Sequence, residues 1–81
     1  MKERTRKFKK ARNGFADRLA TLRGDRSQRR FAHEVQVFQQ NVNRYENGTA
    51  PHLDFLIQVA QAEGVSLDWL ILGVGRMKRR A

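Results

Sequence analysis

Two short amphipathic segments stand almost end to end in the middle of this chain, and the interval between them limits how they can pack. Phe31, Ala32 and Val35 fall on one helical face of the first segment; Phe38, Val42 and Tyr45 do the same in the second, at the i, i+4, i+7 spacing. The first begins after Ser27, a good N-cap, and its pattern breaks at Gln36-Val37. The second runs from about Gln39 to Glu46 and stops at Asn47-Gly48. About three residues are left between two helices, which is the spacing of a helix-turn-helix.

The flanking sequence supplies three more helices. One follows Asn13, a candidate N-cap, with Phe15, Leu19 and Leu22 on one stripe and Asp17 near the positive end of the helix dipole; it ends at Arg23-Gly24. Pro51 suits the start of another, with Thr49 or His52 as its cap. That helix, Leu53 to Ala62, carries Leu53, Leu56, Ile57 and Ala60 on one face, and Phe55 and Val59 widen the face past half the circumference, as in a helix buried on more than one side. Gly64 ends it and Ser66 caps a fifth, with Leu67, Leu70 and Ile71 inward and Trp69 and Leu72 beside them. No strand pattern or repeat is present. Eighty-one residues allow one domain at most, so the expected fold is all-α with five helices.

Charge divides the chain differently. Of 17 Lys and Arg, 12 lie in residues 1–30 against three acids, and four more lie in RMKRR near the C-terminus. Between Phe31 and Gly75 the single base is Arg44, against five acids. Residues 1–12 are therefore expected to form a flexible basic arm, 13–73 a folded domain, and 74–81 a basic tail. A net charge of +9 held at the ends points to a polyanion such as nucleic acid.

Other classes are disfavoured by composition. Without cysteine there are no disulfides or thiolate metal sites, and His33 and His52 flank no ligand pattern, so no metal or cofactor is expected. No nucleophile, base and orienting group can be assembled at a recognisable spacing, which argues against an enzyme, and no small-molecule ligand is evident. No secretory signal follows MKERTRKFKK, and the longest apolar run, WLILGVG, is too short to span a bilayer; the expectation is a cytoplasmic protein with no membrane partner.

The second segment of the helix-turn-helix carries the chemistry. Opposite Phe38, Val42 and Tyr45, a wheel at 100° per residue places Gln40, Asn43, Arg44 and Asn47, with Gln39 at the border. Asn and Gln are ordinary or poor helix-surface residues, but their amides fit adenine N6 and N7, and a guanidinium fits guanine O6 and N7. Such a face suits a helix lying in the major groove of double-stranded DNA.

From Ser27 to Gly48, SQRRFAHEVQVFQQNVNRYENG resembles the helix-turn-helix of the phage-repressor-like (Cro/CI-type, xenobiotic-response-element) family of DNA-binding proteins. The shared pattern is Ser-Gln, an apolar residue and Ala, a turn, a variable polar helix and a closing Arg-Tyr-Glu-Asn-Gly. Downstream, PHLDFLIQVAQAEGVSLDWLILG resembles the family's Pro-x-Leu helix and its Gly-Val-Ser-Leu-Asp continuation. The resemblance covers about Phe15 to Gly73 and implies the five-helix phage-repressor-like fold. It implies that Gln39, Gln40 and Arg44 face bases with Asn43 at the edge, and that Ser27, Gln28 and Asn47 lie at phosphates. Arg23 and Glu46 match a structural ion pair. Lys9, Lys10 and Arg12 of the arm are expected at phosphates as well.

Four positions depart from the family pattern. Gln36 replaces the usual turn Gly, and either adopts a left-handed conformation at a cost of roughly 1 kcal/mol or changes the turn. Phe38 replaces the Ser or Thr cap of the recognition helix, which leaves its start and phase open by a residue. The connection Arg23-Gly24-Asp25-Arg26 is about two residues short, which bears on the Arg23 contact. Thr49-Ala50 replace a frequently basic pair. The function so implied is a transcriptional regulator, most simply a repressor at an operator; an antitoxin-type module that binds a protein as well as its operator is the alternative. A homodimer on DNA is inferred from the short recognition helix and an apolar surplus at Phe55, Val59, Trp69 and Leu72.

Overall fold

The computed structural model describes residues 14–78. Within them the chain is all-α: α1 over residues 14–23, α2 Gln28–Val35, α3 Gln39–Glu46, α4 Leu53–Glu63, then a π-helical turn, Asp68–Leu72. The Asn13 cap and the arm residues Lys9, Lys10 and Arg12 lie outside the described residues.

Helix α2 packs against both α3 and α4, and the core fills the space between them and α1. Phe15, Leu19 and Leu22 enter it from α1, Phe31, Ala32 and Val35 from α2, and Val42 and Tyr45 from α3. The Tyr45 ring meets Phe55 edge-on with centroids 4.6 Å apart, and its hydroxyl accepts the His52 N–H at 3.4 Å. Aromatic edge contacts of this kind add to simple burial.

The turns after α2, α3 and α4 share one device. Val37 N–H donates to Ala32 O, Thr49 N–H to Arg44 O and Val65 N–H to Ala60 O, each bond spanning five residues and each at 2.9–3.1 Å. A residue with positive φ precedes the donor each time: Gln36 (φ 63°), Gly48 (φ 100°) and Gly64 (φ 65°). This is the Schellman closure of a helix C-terminus, which satisfies carbonyls that the helix leaves open. Of the two outcomes open for Gln36, the left-handed one is adopted. The half-buried Val37 and the Gln58 amide, which donates to Val35 O at 3.0 Å, hold the turn from the core side.

Two expectations from periodicity are corrected. The period puts Phe38 with Val42 and Tyr45 on the inner face, yet Phe38 is 73% exposed. It occupies the N-cap position with extended backbone (φ −75°, ψ 134°), outside the helix, so helical phase does not govern where its ring points. In α4 the buried face is Phe55, Val59 and Ala60, whereas Leu53 is 68% and Ile57 39% exposed, because its neighbours cover one side of it. Phe55 and Val59 are thus core residues and are not available as a surface surplus. In the last turn Leu70 is buried, but Leu67 and Leu72 are exposed.

The end of the domain is closed by contacts that periodicity does not register. Arg18 of α1 donates from Nε to Leu70 O at 2.8 Å and from Nη2 to Ile71 O at 2.6 Å, satisfying carbonyls at the end of the π-turn. A Cβ on Gly73, whose φ is +73°, would lie 2.9 Å from Arg18 Nη1, so this glycine serves both the backbone and the side chain above it. Residues 74–78, expected in the basic tail, fold back: Ser66 N–H donates to Met77 O at 2.8 Å, Val65 and Lys78 form an antiparallel bridge, and Met77 packs on the core.

Because Gln36 is exposed and left-handed, Gln36→Gly removes steric strain without losing a contact. We expect it to raise stability by about 0.5–1 kcal/mol. Gln36→Val should lower it. Urea unfolding of the two variants against the parent checks both signs.

Candidate nucleic-acid interface

Helix α3 starts at Gln39 although Phe38 offers no side-chain cap, since Asn41 and Val42 N–H both donate to Phe38 O, at 3.0 and 3.3 Å. With Val42 and Tyr45 anchoring one side, Gln39, Gln40, Asn43 and Arg44 are all exposed on the other. Gln28, Phe38, Gln39, Gln40 and Asn43 line a shallow concavity where α2 begins and α3 begins. Arg44 lies one turn further along α3, outside that strip. Among the described residues its side chain makes no hydrogen bond.

Ser27 caps α2 by accepting Arg30 N–H on Oγ at 3.0 Å. Asn47, just past α3, is exposed and donates from Nδ2 to Asn43 O at 2.7 Å. These two and Gln28 therefore sit at helix ends around the α3 face, while Lys9, Lys10 and Arg12 fall outside the described residues.

One carboxylate organises the set. Glu46 accepts from Arg23 Nε at 2.8 Å and Nη2 at 3.0 Å, and from Gln28 Nε2 at 3.1 Å. A carboxylate only accepts, so Gln28 must turn its NH2 toward Glu46, and its oxygen is left to accept Asn43 Nδ2 at 3.2 Å. The fork-to-carboxylate geometry of Arg23 is bidentate, and hydrogen bonding to Glu46 raises the Arg23 pKa above its ordinary value. The short connection after Arg23 does not prevent the pair, because Arg23 Nη1 also donates to Arg26 O at 2.7 Å and so holds the loop close.

Arg26 is a second hub, and nothing in the residue pattern announced it. It donates to Leu22 O (2.8 Å), Arg23 O (2.9 Å), Glu34 (3.0 Å) and Glu63 (2.7 Å), and its guanidinium lies 4.8 Å from the Phe31 ring centroid. Hydrogen bonding to Glu63, and secondarily to Glu34, raises its pKa. Arg30, then Arg26, hold the Glu34 carboxyl below the usual range. That contribution is present at neutral pH and is lost as pH falls through the lowered carboxylate range. Glu63 is 37 residues from Arg26, which is why spacing could not pair them.

The helix-turn-helix family model matches residues 19–70, which run from the middle of α1 into the π-turn and include all of α2, α3 and α4. The chain belongs to the Cro/CI-type helix-turn-helix family. It is a DNA-binding transcriptional regulator, and its family is not an enzymatic one. No solved structure matches it. Among the described residues no helix is long and apolar enough to cross a membrane.

Glu46→Ala removes the acceptor of three hydrogen bonds at once, in a side chain only 9% exposed. A loss of roughly 1.5–3 kcal/mol is expected from charge-assisted bonds of this kind. The check is a urea midpoint lowered at unchanged slope.

Proposed function

We propose that this regulator is a repressor that occupies an operator in duplex DNA as a twofold dimer and occludes a promoter. The observation that carries the reading is the outward face of α3, where Gln39, Gln40, Asn43 and Arg44 stand exposed on a helix anchored by Val42 and Tyr45. In this reading α3 lies in the major groove: Gln39 and Gln40 bind adenine edges, Arg44 a guanine, and Asn43 borders the readout. Ser27, Gln28 and Asn47 hold phosphates and fix the register of α3 on the duplex. Gln28 is suited to this because Glu46 and Asn43 already orient it.

One short helix reaches only a few base pairs, so specificity calls for two copies, with readers about 34 Å apart on one face of the duplex. The surface that supports pairing is Leu53 and Ile57 of α4 with Leu67 and Leu72 beyond it, all exposed. Ile57 and Leu67 line a common hollow. A selection from random duplexes is expected to return an inverted repeat; a single unrepeated site with one-to-one stoichiometry would overturn the dimer.

Repeating the selection with two variants separates reader from clamp. Arg44→Ala is expected to lose roughly 1–3 kcal/mol and to relax preference at one guanine position. Gln28→Ala should weaken all sequences alike. An unchanged motif and affinity for Arg44→Ala would remove α3 from the groove.

Phosphate attraction must come largely from outside the folded domain. Residues 13–75 contain six bases against seven acids. Four of the six, Arg18, Arg23, Arg26 and Arg30, bond to groups within the domain. We therefore assign phosphate contacts to Lys9, Lys10 and Arg12. Deleting residues 2–12 is expected to lower affinity tenfold or more at moderate salt and to reduce the slope of log affinity against log salt by roughly 2–4 units, with little change in preferred sequence. An unchanged slope would make the arm a solvated tail.

A further inference from the structure

We propose that Phe38 is a base-reading residue, its ring packing on the 5-methyl group of a thymine in the groove that α3 reads. The inference rests on α3 being the major-groove helix. Among the described aromatic residues, Phe15, Phe31, Tyr45 and Phe55 are buried and Trp69 is half-buried; Phe38 alone is exposed, at 73%. The core gains nothing from its ring there. Phe38 takes the N-cap position of α3, where a hydroxyl or amide side chain accepts a backbone N–H, and it makes no such bond. Its ring belongs to neither the core nor the residues packed against the core.

What the ring does adjoin is the reading face. Phe38 lines the same concavity as Gln28, Gln39, Gln40 and Asn43, so an apolar surface lies within a strip of amides. Helix-turn-helix recognition helices meet base edges with their N-terminal residues, and Phe38 stands at that end. Major-groove edges present donors and acceptors at every base pair but only one apolar group, the thymine methyl. A phenyl ring has no hydrogen bond to offer, so the methyl is the one feature it can distinguish. Amides suited to adenine beside a ring suited to thymine together favour an A·T step under the start of α3. The ring also borders a hollow lined by Asn41, Tyr45, His52 and Asp54, where an apolar side chain of a protein partner could dock. Continuity with the amide strip favours the base.

The test replaces each thymine of the selected duplex, one at a time, by deoxyuridine, which lacks only the methyl. For the parent protein, one thymine per half-site is expected to show an affinity loss of about three- to tenfold on removal of its methyl. Phe38→Ser should bind thymine and uracil forms equally. It should also melt no lower than the parent, since Ser restores a cap, so the loss of discrimination cannot be put down to unfolding. Indifference of the parent to uracil at every position overturns the proposal, as does a Phe38→Ser variant that retains the sensitivity. Arg44→Ala on the same duplexes keeps the two readings apart: lost guanine preference without a uracil effect overturns the role of Phe38 alone, and guanine preference retained by Arg44→Ala overturns the placement of α3 and with it this role. Selection of no motif at all removes both.

Discussion

The carboxylate of Glu46 is the point on which the geometry of the reading face depends. It accepts Arg23 from the end of α1 and Gln28 from the start of α2 while itself standing on the last turn of α3. Apolar packing can bring three helices together but leaves them free to slide and rotate by small amounts, because dispersion is not directional. A bidentate guanidinium pair is directional, and its carboxylate is only 9% exposed here. The bond from Asn43 to Gln28 extends that order onto the exposed face, so side chains proposed at phosphate and at bases are joined through one network before any DNA arrives. Such preorganisation reduces the ordering that binding would otherwise require.

The arginines divide between holding the fold and serving a ligand, and burial decides which. Arg26 satisfies carbonyls at the end of α1 and bridges Glu34 and Glu63, and Arg18 satisfies those of the π-turn. The guanidinium groups paired with carboxylates are offset by their partners and add little to the field outside the domain. The domain is thus close to neutral in its net effect while the chain as a whole carries +9. In the proposed reading, specific contacts fall to α3 and long-range attraction to the chain ends, a separation that lets affinity be adjusted without altering the motif.

Two positions near the turn bend local preference. Gln36 accepts a left-handed backbone that glycine would take without strain, and the closure by Val37 and Gln58 makes that conformation the one consistent with α2, α3 and α4 together. Phe38 leaves α3 without a side-chain cap. Local departures of this kind persist where tertiary contacts or function outweigh propensity. For Gln36 the compensating contacts lie inside the fold. For Phe38, in the proposed role, they lie outside it on the DNA.

Much of this was legible in the residues alone. Short range is where sequence speaks most directly: the 3.6-residue period placed Phe31, Ala32 and Val35 inward, Ser27 and Gly64 marked helix ends, and the three residues after Val35 dictated a helix-turn-helix. The amide face of α3 followed from the same period, since Val42 and Tyr45 determine which side is left over. Tertiary structure alone decided the rest. Which side of α4 is covered depends on where α2 lies, and an apolar arc wider than its contact cannot reveal that Phe55 is inside and Leu53 outside. That Phe38 turns outward depends on an N-cap backbone the period does not describe. The pairing of Arg26 with Glu63 and the grip of Arg18 on Leu70 and Ile71 join residues dozens of positions apart, and charges at that separation have no spacing to betray them.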